Sequence, residues 1–433
     1  MKLSRFNTAV PYDGAVVYHN SYSNRFLLLD QMLYDMIAII RTPSDLEDLR
    51  EIHEEFYNAL TEYGFIVEED TDEIAKARTL IESIDNQDSY FHLIVNPTMN
   101  CNFSCWYCYE NHEKKSRITD EVIDKIEALI ENIFVSKPGI QIFSLSFFGG
   151  EPLLFYDKMS ILMKKAKILS DKYGKELQIS ITSNGLLIDE KIIEELKGYT
   201  VAGFQITLDG NKDKHDLVRF VSKSRGSYEK IMDNIRALVR NGFFITMRVN
   251  FTKENLIGLE DIIDDLRDLT EEEKKLISLS MQKVFQEPST QELIDDVGKF
   301  KEYARKNGIS HRSAILADTV RSSCYADKQN EAVINYNGDV YKCNARDFNQ
   351  KNKEGILNEK GEIIWNEQHN KRLIPKLTNK PCLECSIMPI CGGGCSQMIV
   401  ENIGRDYCVH DFDEKSKKRL VLEMFLDQET IKI

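Results

Sequence analysis

The sequence predicts an α/β protein, a partial (β/α)6 barrel flanked by an N-terminal winged-helix-like α+β module and a C-terminal irregular region that needs metal to hold it together. Three observations predict it. From Tyr90 onward six β-prone runs alternate with helical stretches. The loops that follow those runs carry the unusual residues, as barrel chemistry requires, and this favours a barrel over an open doubly wound sheet. All ten cysteines fall in two groups, Cys101 to Cys108 and Cys324 to Cys408.

Taken in order, residues 13–30, DGAVVYHNSYSNRFLLLD, give two β-prone runs joined by a polar SYSN turn, a hairpin signal. Ser44 and Glu47 have capping-box spacing and open a helix expected to run to Tyr63 and stop at Gly64, before the short strand-like FIVEE. The acidic stretch EEDTDEIAKARTLIESIDNQDS reads as a linker with some helix, closing a module over residues 1–88. The barrel, residues 89–312, is expected to use the runs FHLIVNPT, IFSLSFFGG, LQISITSNG, VAGFQITLDG, FFITMRVNFT and LISLSMQKVF as strands. Between them, stretches such as DEVIDKIEALIENIF and GSYEKIMDNIRALVRN carry apolar residues at helical spacing. In the last segment, residues 313–433, the regular pattern gives way to short pieces rich in Cys, Gly, Asn and Lys, with a hairpin turning at Asn337 and Gly338.

Composition narrows the function. At 433 residues with 42% hydrophobic and 29% charged content the chain is a folded, multidomain protein. No apolar run approaches bilayer length and the first residues lack a secretory stretch, so a soluble cytoplasmic protein without membrane contact is expected. A formal charge of -14 argues against a nucleic-acid partner, whose phosphates call for clustered Lys and Arg. In a reducing cytosol ten cysteines stay free for soft metals, either zinc or iron-sulfur clusters.

Cys101, Cys105 and Cys108 follow the first strand, at the mouth of the barrel. Three thiolates fall one short of a closed zinc site, so a four-iron cluster on them would keep one iron open for a substrate with amino or carboxylate groups. The alternative is zinc completed by a distant ligand such as His112.

These residues resemble the CxxxCxxC signature of the radical S-adenosylmethionine enzymes, with the aromatic Tyr107 just before the third cysteine. The resemblance extends to GGEP at Gly149, Gly150, Glu151 and Pro152, whose backbone in that family meets the methionyl amino group. It extends also to Ser183 in SNG, and to Thr207 and Arg219 in the run around Asp209. Arg219 would pair with the methionyl carboxylate through its planar fork. The C-terminal set Cys324, Cys343, Cys382, Cys385, Cys391, Cys395 and Cys408 looks like a SPASM domain. That implies three four-iron four-sulfur (4Fe-4S) clusters, one for the radical step and two auxiliary. One auxiliary cluster would take Cys382, Cys385, Cys391 and Cys408; the other would take Cys324, Cys343 and Cys395, with an iron left open for a substrate thiolate. Two zinc ribbons are the alternative for this region.

The N-terminal module resembles the leader-recognition element of ribosomal-peptide maturases, which adds a leader strand to its sheet edge. The resemblance therefore implies a peptide maturase: S-adenosylmethionine, reduced through an electron donor of flavodoxin or ferredoxin type, yields a 5'-deoxyadenosyl radical that abstracts hydrogen from a precursor peptide. A cysteine thioether is the first expectation and a carbon-carbon crosslink the second. Formylglycine formation by an anaerobic sulfatase maturase comes third, because Asn344 stands where those enzymes place a basic Asp, and Asp347 is shifted. A non-enzymatic zinc-ribbon adaptor that binds peptides is the alternative of another class. The catalytic base is not legible.

Overall fold

A computed structural model describes residues 1–222, 224–288, 290–311, 323–374 and 376–431. The chain divides into two compact units, one of residues 1–87, 315–329 and 371–433, the other of 88–314 and 330–370. The boundary expected at 312 to 313 lies outside the described residues.

The larger unit is an α/β fold built on a mostly parallel sheet. Tyr90–Asn96, Ile142–Phe147, Glu176–Ser183, Thr200–Leu208, Ile245–Phe251 and Ile277–Lys283 pair in that order, every neighbour parallel. All six expected strands are present. Because consecutive strands are always neighbours, the order never reverses, and the sheet lacks the switch point of a doubly wound fold. Amphipathic helices cover it: Asp120–Ser136 starts at the Thr119 N-cap with Asp120 and Glu121 in its first turn, where the helix dipole favours them. Helix Tyr228–Arg240 buries Ile231, Ile235 and Leu238 on one stripe.

Along each strand the side chains alternate. One set, including Leu145, Ile179, Ile206, Met247 and Leu279, is fully buried in the core beneath the helices. The other set is polar and half-buried: Ser180, Thr182, Gln205, Thr207, Thr246, Arg248, Ser278 and Ser280.

The hairpin at Asn337 and Gly338 forms as expected, Glu331–Asn335 pairing antiparallel with Asp339–Tyr341. Its first strand also pairs parallel with the outer edge of Tyr90–Asn96, Glu331 opposite His92 and Asn335 opposite Asn96. The hairpin thus completes the barrel sheet, to which Gly355–Leu357 and Ile363–Trp365 add antiparallel.

In the smaller unit, Asn7–Tyr12, Ala15–Asn20 and Arg25–Leu29 form a three-stranded antiparallel sheet, followed by helices Gln31–Ala38, Pro43–Ile52 and Glu54–Glu62. The SYSN turn lies where expected, between the second and third strands. The capping box does not: Thr42 is the N-cap and Asp45 closes the box. Pro43 decides this, since its fixed φ and missing N–H suit the first helical position and push the cap two residues upstream, from Ser44 to Thr42. The expected single helix is two, joined at His53, whose ring accepts from the Phe56 N–H at 3.3 Å. One face of the sheet packs Tyr18 and Leu29 onto Ile37, Leu46 and Leu60. Val10 and Val17 pack instead against Leu420, Val421 and Phe425 of helix Glu414–Ile431, in a cluster that includes Cys385 and Cys391.

Candidate active site at the carboxyl ends of the barrel strands

The loop after the first strand carries Cys101, Cys105 and Cys108, and the GGEP turn after the second strand is laced to its base. Gly150 N–H donates to Thr98 O at 3.1 Å and Glu151 N–H to Asn100 O at 2.8 Å. A Cβ on Gly149, which sits at φ +113°, would lie 2.3 Å from Thr98 O, and one on Gly150 would lie 2.3 Å from Asn100 O. The two glycines are therefore required by the approach of the cysteine loop itself.

Glu151 is fully buried and binds the third strand's end. Its carboxylate accepts from Ser183 Oγ at 2.9 Å, from Asn184 N–H at 2.7 Å and from Leu153 N–H at 3.0 Å. Burial pushes this carboxyl up to about 7, and the three donors oppose the rise. Ser183 is thereby committed within the protein, while the Asn184 amide reaches Asn102 Oδ1 at 2.7 Å, beside Cys101. Pro152 opens a 3-10 turn with no N–H to leave unpaired.

Across the sheet, Tyr107 ties the cysteine loop to the fourth and fifth strands. Its hydroxyl donates to Asp209 Oδ1 and accepts from Arg219 Nη2 and from Asn250 Nδ2, each at 3.0 Å. Arg219 is ion-paired through Nε with the buried Asp209. His215 fixes this turn: Nδ1 accepts from Asp209 N–H at 3.3 Å and Nε2 bonds Ser227 Oγ at 3.0 Å, which donates to Arg219 O at 2.8 Å. Burial holds His215 down near 4, so it is neutral. Thr207 is half-buried opposite Arg248, whose Nε donates to Asn250 Oδ1 at 2.9 Å. Sequence reasoning missed Asn184, Arg248 and Asn250. The signal was available for the last two, an arginine and an asparagine two apart in a run otherwise built for a strand.

The hairpin segment braces the cysteine loop from the other side. Tyr109 OH donates to Asn344 O at 2.8 Å, Asn111 Nδ2 to Asp347 Oδ2 at 2.8 Å, and Tyr336 OH to Glu113 Oε2 at 2.6 Å. Asp347 is thus engaged by Asn111 and also by Asn349 at 3.0 Å.

The cysteines are free thiols, and their surroundings suit metal-bound thiolates. At six of them the backbone N–H two residues on donates to the sulfur: Phe103 to Cys101, Glu110 to Cys108, Ala326 to Cys324, Ala345 to Cys343, Gly393 to Cys391 and Gln397 to Cys395. Such bonds favour a charged sulfur. Against them, burial pushes Cys101 up to about 12 and Cys108 and Cys391 to about 11, so a metal must displace the protons. In the smaller unit the Cys324 thiol donates to Cys395, which holds the latter below the ordinary thiol range and the former above it. Cys382 lies within electrostatic reach of Cys385, Cys391 and Cys408, and Cys391 of Cys385, while Cys343 follows the hairpin of the larger unit. Among the described residues no three His, Cys, Asp or Glu side chains are arranged to hold a single metal ion.

The family model of the radical SAM superfamily matches residues 95–266, the span that holds the cysteine loop, GGEP, Ser183, Thr207 and Arg219. Residues 95–266 are a radical SAM domain. Such a domain binds one 4Fe-4S cluster and S-adenosylmethionine. The radical SAM cyclopropyl synthase TigE of Paramaledivibacter caminithermalis is 22% identical over 393 residues, 83% of this chain and 79% of that protein. A cysteine-type anaerobic sulfatase-maturating enzyme of Clostridium novyi is 27% identical over 341 residues, 70% of this chain and 87% of its own. Among solved structures, anSMEcpe with bound AdoMet matches with a TM-score of 0.58 at 19% identity, over 78% of this chain and 97% of its own. Streptococcus suis SuiB matches with a TM-score of 0.52 at 14% identity, over 94% of this chain and 98% of its own. At these identities the two structures establish the fold alone, the α/β fold of a radical SAM domain. The chain thus carries a radical SAM domain and is similar to radical SAM maturases, and none of its described helices is long and apolar enough to cross a membrane.

Proposed function

We propose that this radical SAM enzyme matures a ribosomally made precursor peptide by forming a cysteine thioether. The observation that carries the peptide reading is the N-terminal module. It has a three-stranded sheet followed by three helices, the make-up expected of a leader-recognition element, and the likeness to SuiB, also solved bound to precursor peptide SuiA, spans 94% of the chain. The likeness to anSMEcpe, solved also with AdoMet and the Cp18Cys peptide, stops at 78%. The leader would add a strand to an edge of the sheet.

Cys101, Cys105 and Cys108 would hold the radical cluster. The backbone of Gly149 to Pro152, with Thr207 and the free side of Arg219, would take the methionyl end of S-adenosylmethionine. Bound and reduced, by a flavodoxin- or ferredoxin-type donor, this cofactor supplies a 5'-deoxyadenosyl radical that removes one hydrogen atom from the peptide. For a thioether the peptide thiol also gives up a proton and the pair one electron, so the product is lighter by two hydrogens. The protein's part is placement and exclusion of water. Cys382, Cys385, Cys391 and Cys408 would hold one auxiliary cluster, and Cys324, Cys343 and Cys395 a second, which would supply a site for the thiol and an acceptor for the electron. The engagement of Asp347 by Asn111 and Asn349, with an amide at Asn344, disfavours the sulfatase-maturase reading, which needs a carboxylate base there.

The test is the mass of the precursor peptide encoded beside the gene, after anaerobic incubation with enzyme, reductant and S-adenosylmethionine, with and without a thiol-alkylating reagent. Loss of two hydrogens together with one alkylatable thiol is expected. Loss of two hydrogens with every thiol still reactive selects the carbon-carbon crosslink instead.

A further inference from the structure

The inner face of the barrel sheet carries a belt of polar residues that none of the roles above uses. Thr182, Gln205, Thr246, Ser278 and Ser310 are register partners on five consecutive parallel strands, one from each. Parallel barrels ordinarily fill such layers with branched apolar side chains. Here the belt, with Ser180, lines a cavity of about 640 Å³. That is within the range of a ligand pocket of about 300–1,000 Å³. The belt is half-buried, with Ser310 exposed, and its hydroxyls make long bonds within the sheet, Thr246 to Ser278 at 3.4 Å, Ser278 Oγ to Ile245 O at 3.5 Å and Ser310 Oγ to Ile277 O at 3.2 Å, which leaves them capacity to bond a ligand.

Its chemistry narrows the occupant. Among the described lining residues the one ionisable side chain is Lys275, whose ammonium is already paired with Glu272 at 2.6 Å. An ionic ligand would find no countercharge. Hydroxyls both donate and accept, and Gln205 does the same through its amide, which suits the alternating N–H and C=O groups of a peptide main chain. The belt is also continuous with the active site. Two residues further along the same strands, on the same face, stand Thr207, Arg248 and Ser280. Two beyond Arg248 is Asn250, which bonds Tyr107. From Thr246 to Asn250 the strand rises about 13 Å, and an extended peptide covers that distance in about four residues.

We infer that the belt binds an uncharged, extended segment of the peptide substrate about four residues from the position that reacts. This rests on the maturation reading and adds to it a second peptide subsite, distant from the cysteine loop and recognising main chain.

The test uses the full-length holoenzyme, the precursor peptide, and a series of that peptide shortened residue by residue from its carboxyl end. Ser278→Leu fills the cavity, and Thr246→Val removes one hydroxyl at nearly constant volume. Each variant is expected to raise KM for the full peptide, by about tenfold for Ser278→Leu, while peptide-independent formation of 5'-deoxyadenosine stays at the wild-type rate. One shortened peptide should show the same rise with the wild-type enzyme and no further rise with Ser278→Leu, because both changes remove the same contact. KM unchanged in both variants overturns the inference. So do variant and truncation effects that multiply. If the wild-type enzyme leaves the mass of the peptide unchanged, the maturation reading fails first and the assigned occupant falls with it.

Discussion

At the scale of single residues, the buried pair of Arg219 and Asp209 governs the site. Asp209 is 1% exposed and its carboxylate faces both Tyr107 and Arg219, so removing the cation strands a charge. Arg219→Met is expected to cost about 3–5 kcal/mol in denaturant unfolding and to abolish formation of 5'-deoxyadenosine. Arg219→Lys should recover part of the stability and little of the activity, because an ammonium has no fork to span Asp209 and Tyr107 together. His215 makes a pH prediction. Its folded value, near 4, lies below the ordinary 6.5, so between those limits the unfolded chain binds more protons. Stability from this residue is complete above 6.5 and is lost as pH falls toward 4, by at most about 3 kcal/mol. The slope of unfolding free energy against pH in that window should flatten in His215→Gln. From sequence, Arg219 reads as a ligand for the cofactor's carboxylate, and its Nε proves to be spent on Asp209 and its Nη2 on Tyr107. A distance of ten residues along the chain says nothing about which carboxylate will lie against it.

At the scale of elements, the cysteine loop is held by two partners of different legibility. GGEP is visible in the sequence as a turn with ligand-binding character, and the structure adds that its glycines admit Thr98 O and Asn100 O. Gly150→Ala is expected to displace the loop and lose the radical cluster alone. On the proposed three-cluster reading, iron content would fall from about twelve to about eight per chain with the auxiliary clusters retained, and anaerobic iron analysis with the electron paramagnetic resonance spectrum would read this directly. The hairpin brace could not be read. The Asn337-Gly338 turn announces two strands, but the parallel pairing of Glu331–Asn335 with Tyr90–Asn96 joins segments more than two hundred residues apart, and local pattern holds no record of that partner. The same limit explains the helix start at Thr42. Two candidate boxes overlap in TPSDLE, and the proline selects one.

At the scale of the whole molecule, the chain's order and its compact units differ. The hairpin belongs with the barrel and the terminal cysteine segments with the N-terminal module, where Lys376 joins Asp85 at 2.9 Å and Asp327 at 2.7 Å. A chain ending at Gln329 therefore lacks the strand that covers the outer edge of Tyr90–Asn96. It is expected to aggregate, where a chain ending at Asn370 keeps that edge paired; gel filtration of the two would separate the cases. What the sequence by itself determined is local or periodic: the six strands, the covering helices, the cysteine spacing and the turn motifs, because the period of side chains and the reach of a loop are properties of short segments. Only the tertiary structure decided which carboxylate holds Arg219, that Tyr107 crosses to the fourth and fifth strands, and that five polar residues from five strands share one layer. Each of these depends on the register between distant segments, which is set when apolar faces are buried together and is written in no single stretch of the chain.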